Sequence, residues 1–181
     1  MLPPAHFGRA TAVEEEPLRP AAAAELVIVE DTREQRPLRF SPRVRVVRAA
    51  LPAGDYAPQG FEGRAAIERK SLADLVGSVT RDRARFWREL ERLRGYELRA
   101  VVVEACLGDV AEHRYRSQAS PRSVLASALS VITDLGIPVV FAHDPDLAAE
   151  CVEWMLRRFV RWQSQPGAEE AARERAQRWD G

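Results

Sequence analysis

The residues best suited to chemistry are Asp55, Glu68 and Lys70. Glu68 and Lys70 are two positions apart in Ala65 to Lys70, a strand-like segment, so their side chains leave the same face. Asp55 opens the preceding strand, after a Pro52-Ala53-Gly54 turn. The Pro58 to Gly63 connection then folds the chain back as a hairpin and brings the Asp55 carboxylate beside Glu68. Two carboxylates next to an ammonium make a small oxygen site for a hard divalent cation. Mg²⁺ (or Mn²⁺) in such a site keeps several waters and takes one or two protein carboxylates plus substrate phosphate oxygens. It lowers the pKa of a bound water and stabilises charge on the phosphate. Lys70 would lie near the attacking water or the scissile phosphate, with a pKa lowered by partial dehydration and the metal field. Arg69, between them, points to the opposite face and is expected to pack, pair or position.

Two further features gather around this trio. Of the 27 basic residues, 26 are Arg, and Lys70 is the one Lys. In a chain that uses Arg wherever a cation will serve, this marks a place where a compact, tunable point charge is needed, unless chance put it there. Upstream, Asp31-Thr32-Arg33-Glu34 follows a short apolar run. A carboxylate at the C-terminal end of a sheet strand is a frequent functional location in α/β folds. Asp31 would add a third acidic group, directly or through water, and Arg33 would clamp phosphate; a cap with a salt bridge explains the same residues. Asp74 reads equally as a first-turn helix acid stabilised by the helix dipole.

The elements that must hold these residues alternate between strand and helix signals. Strands are expected at Leu26 to Glu30, Arg43 to Arg48, Asp55 to Ala57, Ala65 to Lys70, Ala100 to Glu104 and Ile137 to Ala142. Ser71 caps a helix through Val76. Arg81 to Arg94 forms a long helix with Phe86, Leu90 and Leu93 on one stripe. Ser120-Pro121 opens a helix that Gly136 stops after Leu135. Asp144 or Asp146 caps a final helix to about Trp162. The pattern predicts an α/β sandwich around a mostly buried mixed sheet. Residues 1–25 read as a flexible leader, 26–162 as the folded domain and 163–181 as a flexible or weakly helical tail.

The chain has 181 residues, 46% hydrophobic and 30% charged, the profile of an ordinary globular domain. No apolar run approaches the roughly 20 residues of a membrane span, and no signal peptide opens the chain. An intracellular, cytoplasmic or nucleoid-associated protein without a membrane partner is expected. Cys106 and Cys151 read as buried thiols, and His113 and His143 as surface loop residues. The net charge is zero, yet residues 33–99 carry 16 basic against 9 acidic residues, a local balance of +7. Such a field suits a phosphate backbone or simply a solvated surface. Arg81, Arg85, Arg88 and Arg92 are the candidate DNA-binding row. Trp87 and Phe86 could stack on an unpaired base, although Phe86 fits a core stripe better. No Gly-rich phosphate loop follows a strand, which argues against a nucleotide-binding domain.

Asp31-Thr32-Arg33-Glu34, Gly54-Asp55-Tyr56, and Glu68-Arg69-Lys70 with Asp74 four residues on together resemble the nuclease domain of the XPF family of structure-specific endonucleases. The resemblance covers residues 26–160. It implies a restriction-endonuclease-like fold, a central mixed β-sheet flanked by helices, and Mg²⁺- or Mn²⁺-dependent phosphodiester cleavage in branched DNA such as flaps or forks, in repair or recombination. It carries catalytic and metal roles onto Asp31, Asp55, Glu68 and Lys70, and supporting roles onto Arg33, Glu34, Arg69 and Asp74. Family members often append helix-hairpin-helix motifs, and none is expected in the residues after the final helix here. A homodimer, through a final helix carrying Val152, Trp154, Met155, Phe159 and Trp162, is one expected partner; a helicase or helix-hairpin-helix chain supplied in trans is another. Two alternatives stand beside this reading: a generic PD-(D/E)xK resolvase-like or phage recombination nuclease, and a non-catalytic DNA-binding scaffold.

Overall fold

The computed structural model describes residues 25–165 and 167. All but Glu25 of the leader expected at 1–25, and most of the tail expected at 163–181, lie outside the described residues. Six strands form one mixed sheet in the order β2-β1-β3-β4-β5-β6. They are β1 (Leu26–Asp31), β2 (Val44–Ala49), β3 (Tyr56–Pro58), β4 (Ala65–Ser71), β5 (Leu98–Glu104) and β6 (Val139–Phe141). β2 runs parallel to β1, β3 runs antiparallel to both β1 and β4, and β4, β5 and β6 run parallel to one another. The helices are α1 (Leu72–Val79), α2 (Arg83–Arg94), α3 (Leu107–Ala111), α4 (Pro121–Leu135) and α5 (Pro145–Gln163).

Strand parity sorts the side chains into two cores. Ala66 of β4 and Val101 and Val103 of β5 pack under Leu75 and Val76 of α1, Phe86 and Leu90 of α2, and Val124 and Val131 of α4. On the opposite face, Ile28, Tyr56, Ile67 and Val102 pack under Ala149, Val152 and Leu156 of α5. Both faces of the central strands are therefore covered, which is why β5 reads as an unbroken apolar run. The stripe on α5 divides: Val152 and Phe159 are core, Met155 is partly buried, and Trp154 and Trp162 are exposed. Arg158 lies against the Trp154 ring, 5.6 Å from its centroid.

Local chemistry sets the helix boundaries. Ser71 Oγ accepts the Asp74 amide at the start of α1, and Ser120 and Asp144 cap α4 and α5 in the same way. Gly136, at φ 62°, closes α4. Several elements differ from the sequence reading: α1 runs on to Val79, β5 starts earlier, at Leu98, and β6 is shorter, Val139–Phe141. The helix expected from Arg81 begins at Arg83, because Thr80 and Asp82 close a turn back on the Gly77 carbonyl. Short α3 carries too few residues for a periodic signal. Among the described residues no helix is long and apolar enough to cross a membrane. The two cysteines are half-buried rather than buried.

Gly54 has the most constrained backbone near the site. Its φ is +71°, and an added Cβ would meet Ala66 Cβ and the Ile67 carbonyl oxygen at 3.0 Å. A side chain there is opposed by both conformation and backbone contact. Gly54→Ala is expected to cost about 1–3 kcal/mol, read as a lower denaturant midpoint at unchanged slope; a midpoint equal to wild type would refute this account of the turn.

Candidate active site

The site is built where β1, the turn into β3, and β4 meet on the α1/α2 face of the sheet. Asp55 lies just before β3 with both backbone groups engaged. Its amide donates to the Ile67 carbonyl at 2.8 Å, and its carbonyl accepts from the Asp31 amide at 2.8 Å. The Asp55 Oδ2 atom accepts the Arg69 amide at 2.8 Å. The aspartate is thus stitched to β1 and β4 at once. Lys70 Nζ donates to Glu68 Oε1 at 2.6 Å, and its ammonium lies 5.3 Å from the centre of the Phe86 ring. The parity argument therefore holds for Glu68 and Lys70.

The electrostatics are those of crowded, desolvated carboxylates. Burial, then the Glu68 charge, push the Asp55 carboxyl up to about 8, with the Arg69 amide and Lys70 opposing. Burial of Lys70 favours its neutral form, but Glu68 and Asp55 outweigh this and hold the ammonium above its ordinary range. In the cation-free protein two adjacent acids therefore outweigh dehydration.

Asp31 shares this face and is almost fully buried. Its Oδ1 accepts the Arg33 amide and Nε, both at 2.7 Å. Its Oδ2 accepts Arg33 Nη2 at 2.9 Å and the Leu51 amide at 2.6 Å. Burial alone would raise its pKa, but these donors take it down to about 2. Arg33 also donates to the Leu51 carbonyl at 2.9 Å, and it feels the charges of Asp55 and Glu68. The structure places Asp31 as the anchor that aims an otherwise exposed guanidinium along the acidic pair. Among the described residues no three His, Cys, Asp or Glu side chains group as a ready-made metal cage. The donor set is two carboxylates, which suits an ion that keeps much of its water.

The supporting residues other than Arg33 fall on the other face or at the rim. Arg69 donates through Nε to Glu104 Oε1 at 2.7 Å and through Nη2 to Oε2, and its Nη1 lies 3.7 Å from Glu34. Glu104, at the end of β5, was missed by the sequence reading; its signal was an acid closing the apolar run Val101-Val102-Val103. Asp74 Oδ2 accepts from Ser71 Oγ at 2.6 Å, so it completes the α1 cap. Arg85, Arg88 and Arg92 are exposed on α2, with Arg85 paired to Glu89 at 3.1 Å, while Arg81 stands apart in the α1–α2 turn. Phe86 is core; Trp87 is partly covered, its ring faced by the Arg83 guanidinium at 4.0 Å. His113 and His143 are exposed turn residues with positive φ.

The Asp55 shift predicts a pH dependence. A carboxyl whose pKa rises from about 4 unfolded to about 8 folded adds no destabilisation below pH 4, destabilises increasingly as pH rises from 4 to 8, and levels off above 8. Asp31 acts in a separate window, losing its stabilising contribution as pH falls from about 4 toward about 2. Asp55→Asn is therefore expected to raise the thermal midpoint of the cation-free protein at pH 8.5 and to change it little at pH 4.5. A lower midpoint at pH 8.5 would contradict the raised carboxyl.

Residues 30–155 match the ERCC4 domain. Among solved structures, the chain is similar to XPF from Aeropyrum pernix, at 27% identity and TM-score 0.58, over 78% of this chain and 63% of that one. It is also similar to XPF from Aeropyrum pernix in complex with DNA, at 25% identity and TM-score 0.58, over 86% of this chain and 82% of that one. The chain thus spans less than two thirds of the first of these structures. No curated protein matches it. The mixed sheet with flanking helices is the XPF nuclease fold, which is restriction-endonuclease-like.

Proposed function

Because this chain belongs to the ERCC4 domain family, we propose that it is a metal-dependent DNA endonuclease that hydrolyses phosphodiester bonds at branched DNA, such as flaps and forks. The observation that carries the proposal is half-buried Asp55 and buried Glu68 together on one sheet face, with Lys70 bonded to Glu68. Like charges forced together without water are costly, and a bound cation relieves that cost. Asp55 and Glu68 would hold Mg²⁺ or Mn²⁺, which when bound supplies an activated water and charge stabilisation at the phosphate.

The chain's own groups account for the rest. Asp55 is oriented through the Arg69 amide, so its carboxylate cannot swing away from Glu68. Lys70 is held protonated by Glu68 and Asp55, which suits it to stabilise negative charge at the scissile phosphate or leaving oxygen rather than to abstract a proton. Arg33, fixed by Asp31, offers its exposed guanidinium to a neighbouring phosphate. Arg85, Arg88 and Arg92 supply sequence-independent phosphate contacts on α2.

The test is cleavage of end-labelled linear duplex, single-strand, 3′-flap, fork and Holliday-junction DNA with Mg²⁺, Mn²⁺ or EDTA. Metal-dependent nicking near a branch is the expected result. Equal cutting of every substrate would remove branch preference and leave a generic nuclease. Binding without cutting under any metal would overturn the enzymatic reading in favour of a DNA-binding scaffold.

A further inference from the structure

A groove of about 790 Å³ lies beside the catalytic strand, between α1 and the loop of residues 112–119. One wall begins at Leu72 and Ala73, directly after Lys70-Ser71, and continues through Val76 and Gly77 to Arg81. The other is the loop with Tyr115 and Arg116. The groove therefore leads away from the site along the axis of α1, whose eight residues give it a length of about 12 Å at 1.5 Å per residue.

Its chemistry is two-sided. Leu72, Val76, Gly77 and Ala119 make an apolar floor, with arginines at the rim. Arg114 is already paired with Asp109 and Glu112. Arg81 and Arg116 are exposed, and among the described residues neither side chain makes an ion pair or hydrogen bond. Gly77 leaves room for the Arg81 guanidinium to lie across α1, where a Cβ would sit 3.4 Å from its Nη2. The loop wall is held in shape by His113 Nε2 against the Ser117 carbonyl at 2.8 Å and by Tyr115 Oη donating to the Ala119 carbonyl at 2.9 Å. Unpaired cations above an apolar floor match a strand with an anionic backbone and exposed base faces. A slot confined between one helix and one loop suits a single strand, whose bases can reach the floor, better than a duplex, whose bases are stacked inside.

We propose that this groove binds a few nucleotides of an unpaired DNA strand and leads it past the strand that carries Glu68 and Lys70, with Arg81 and Arg116 on its phosphates. The proposal rests on the nuclease reading for its purpose, and a binding assay without metal tests it separately. Fluorescence anisotropy of a labelled twelve-residue oligothymidylate is measured in EDTA across a salt series. The full chain is compared with Arg81→Ala/Arg116→Ala and with Arg43→Ala/Arg45→Ala, an equal charge loss at the β2 edge. Each phosphate contact contributes about 0.7 to the single-strand salt slope. The groove pair is therefore expected to lose about tenfold in affinity and about 1.4 in slope, and the edge pair less than twofold. Equal losses in both pairs would overturn the groove in favour of a diffuse basic field, and no loss in the groove pair would overturn it outright. Circular dichroism checks that both variants are folded. Cleavage by the unmodified protein is scored in parallel: groove-dependent binding without cleavage would remove the nuclease and keep the groove, and cleavage with groove-independent binding would do the reverse.

Discussion

Glu68→Ala is expected to lower metal-dependent DNA cleavage by about 10³-fold or more while DNA binding holds or improves. The magnitude is that of removing a group which stabilises charge only at the transition state. The direction for binding follows from electrostatics, since the variant removes a negative charge from a surface that phosphate must approach. Lys70→Arg is the sharper companion. It keeps the charge but replaces a compact ammonium, bonded to Glu68 at 2.6 Å and seated near the Phe86 ring, by a planar fork that cannot fill the same place. Its expected loss is about 10²-fold. Single-turnover cleavage of a 3′-flap, beside anisotropy in EDTA, separates chemistry from binding. Full activity in Lys70→Arg would sink the special role of that lysine, and full activity in Glu68→Ala would sink the site.

The largest expected effect on stability lies on the other face of the same strand. Glu104→Ala removes the bidentate partner of Arg69 and leaves a buried guanidinium with Glu34 at 3.7 Å as its remaining carboxylate. Breaking a buried pair by removing one member costs about 3–5 kcal/mol. The expected readout is a clear fall in urea midpoint. Because β4 carries both Arg69 and the proposed catalytic residues Glu68 and Lys70, a fall in cleavage at temperatures where the variant remains folded is expected to follow. Glu104→Gln, which keeps one acceptor for Arg69, should recover part of both. A midpoint within experimental error of wild type for Glu104→Ala would show that Arg69 does not depend on this partner.

Much of the site was legible because it depends on local periodicity. Two residues apart on a strand means one face, and this alone placed Glu68 with Lys70 and sent Arg69 away. The hairpin residues between Pro58 and Gly63 announced the antiparallel return that brings Asp55 alongside. The dependence of Asp31 on Leu51, twenty residues away in a loop, left no such trace, so Asp31 read as a third acidic group or as a cap with a salt bridge, without its Leu51 partner. Glu104 was hidden for a related reason: its partner lies on a neighbouring parallel strand, and register between parallel strands is set by packing rather than by a turn. The sign of the Lys70 shift depended on how closely two acids approach it, which spacing does not reveal. The basic groove was equally out of reach, since its walls, residues 72–81 and 114–119, come from distant parts of the chain. The row of arginines from Arg81 to Arg92 was read as one helix face, but the turn at Thr80 to Asp82 detaches Arg81 from it.

The stitching of Asp55 into both neighbouring strands bears on how the protein would fail. The amides of Asp31, Asp55 and Arg69 are all donors in hydrogen bonds that hold the site together, and they lie in the middle of a sheet covered on both faces. In hydrogen–deuterium exchange these amides should be among the slowest, opening only with the whole domain. The site then has no separate melting step: on heating, catalytic capacity and the fold should disappear in one transition, and on refolding they should return together.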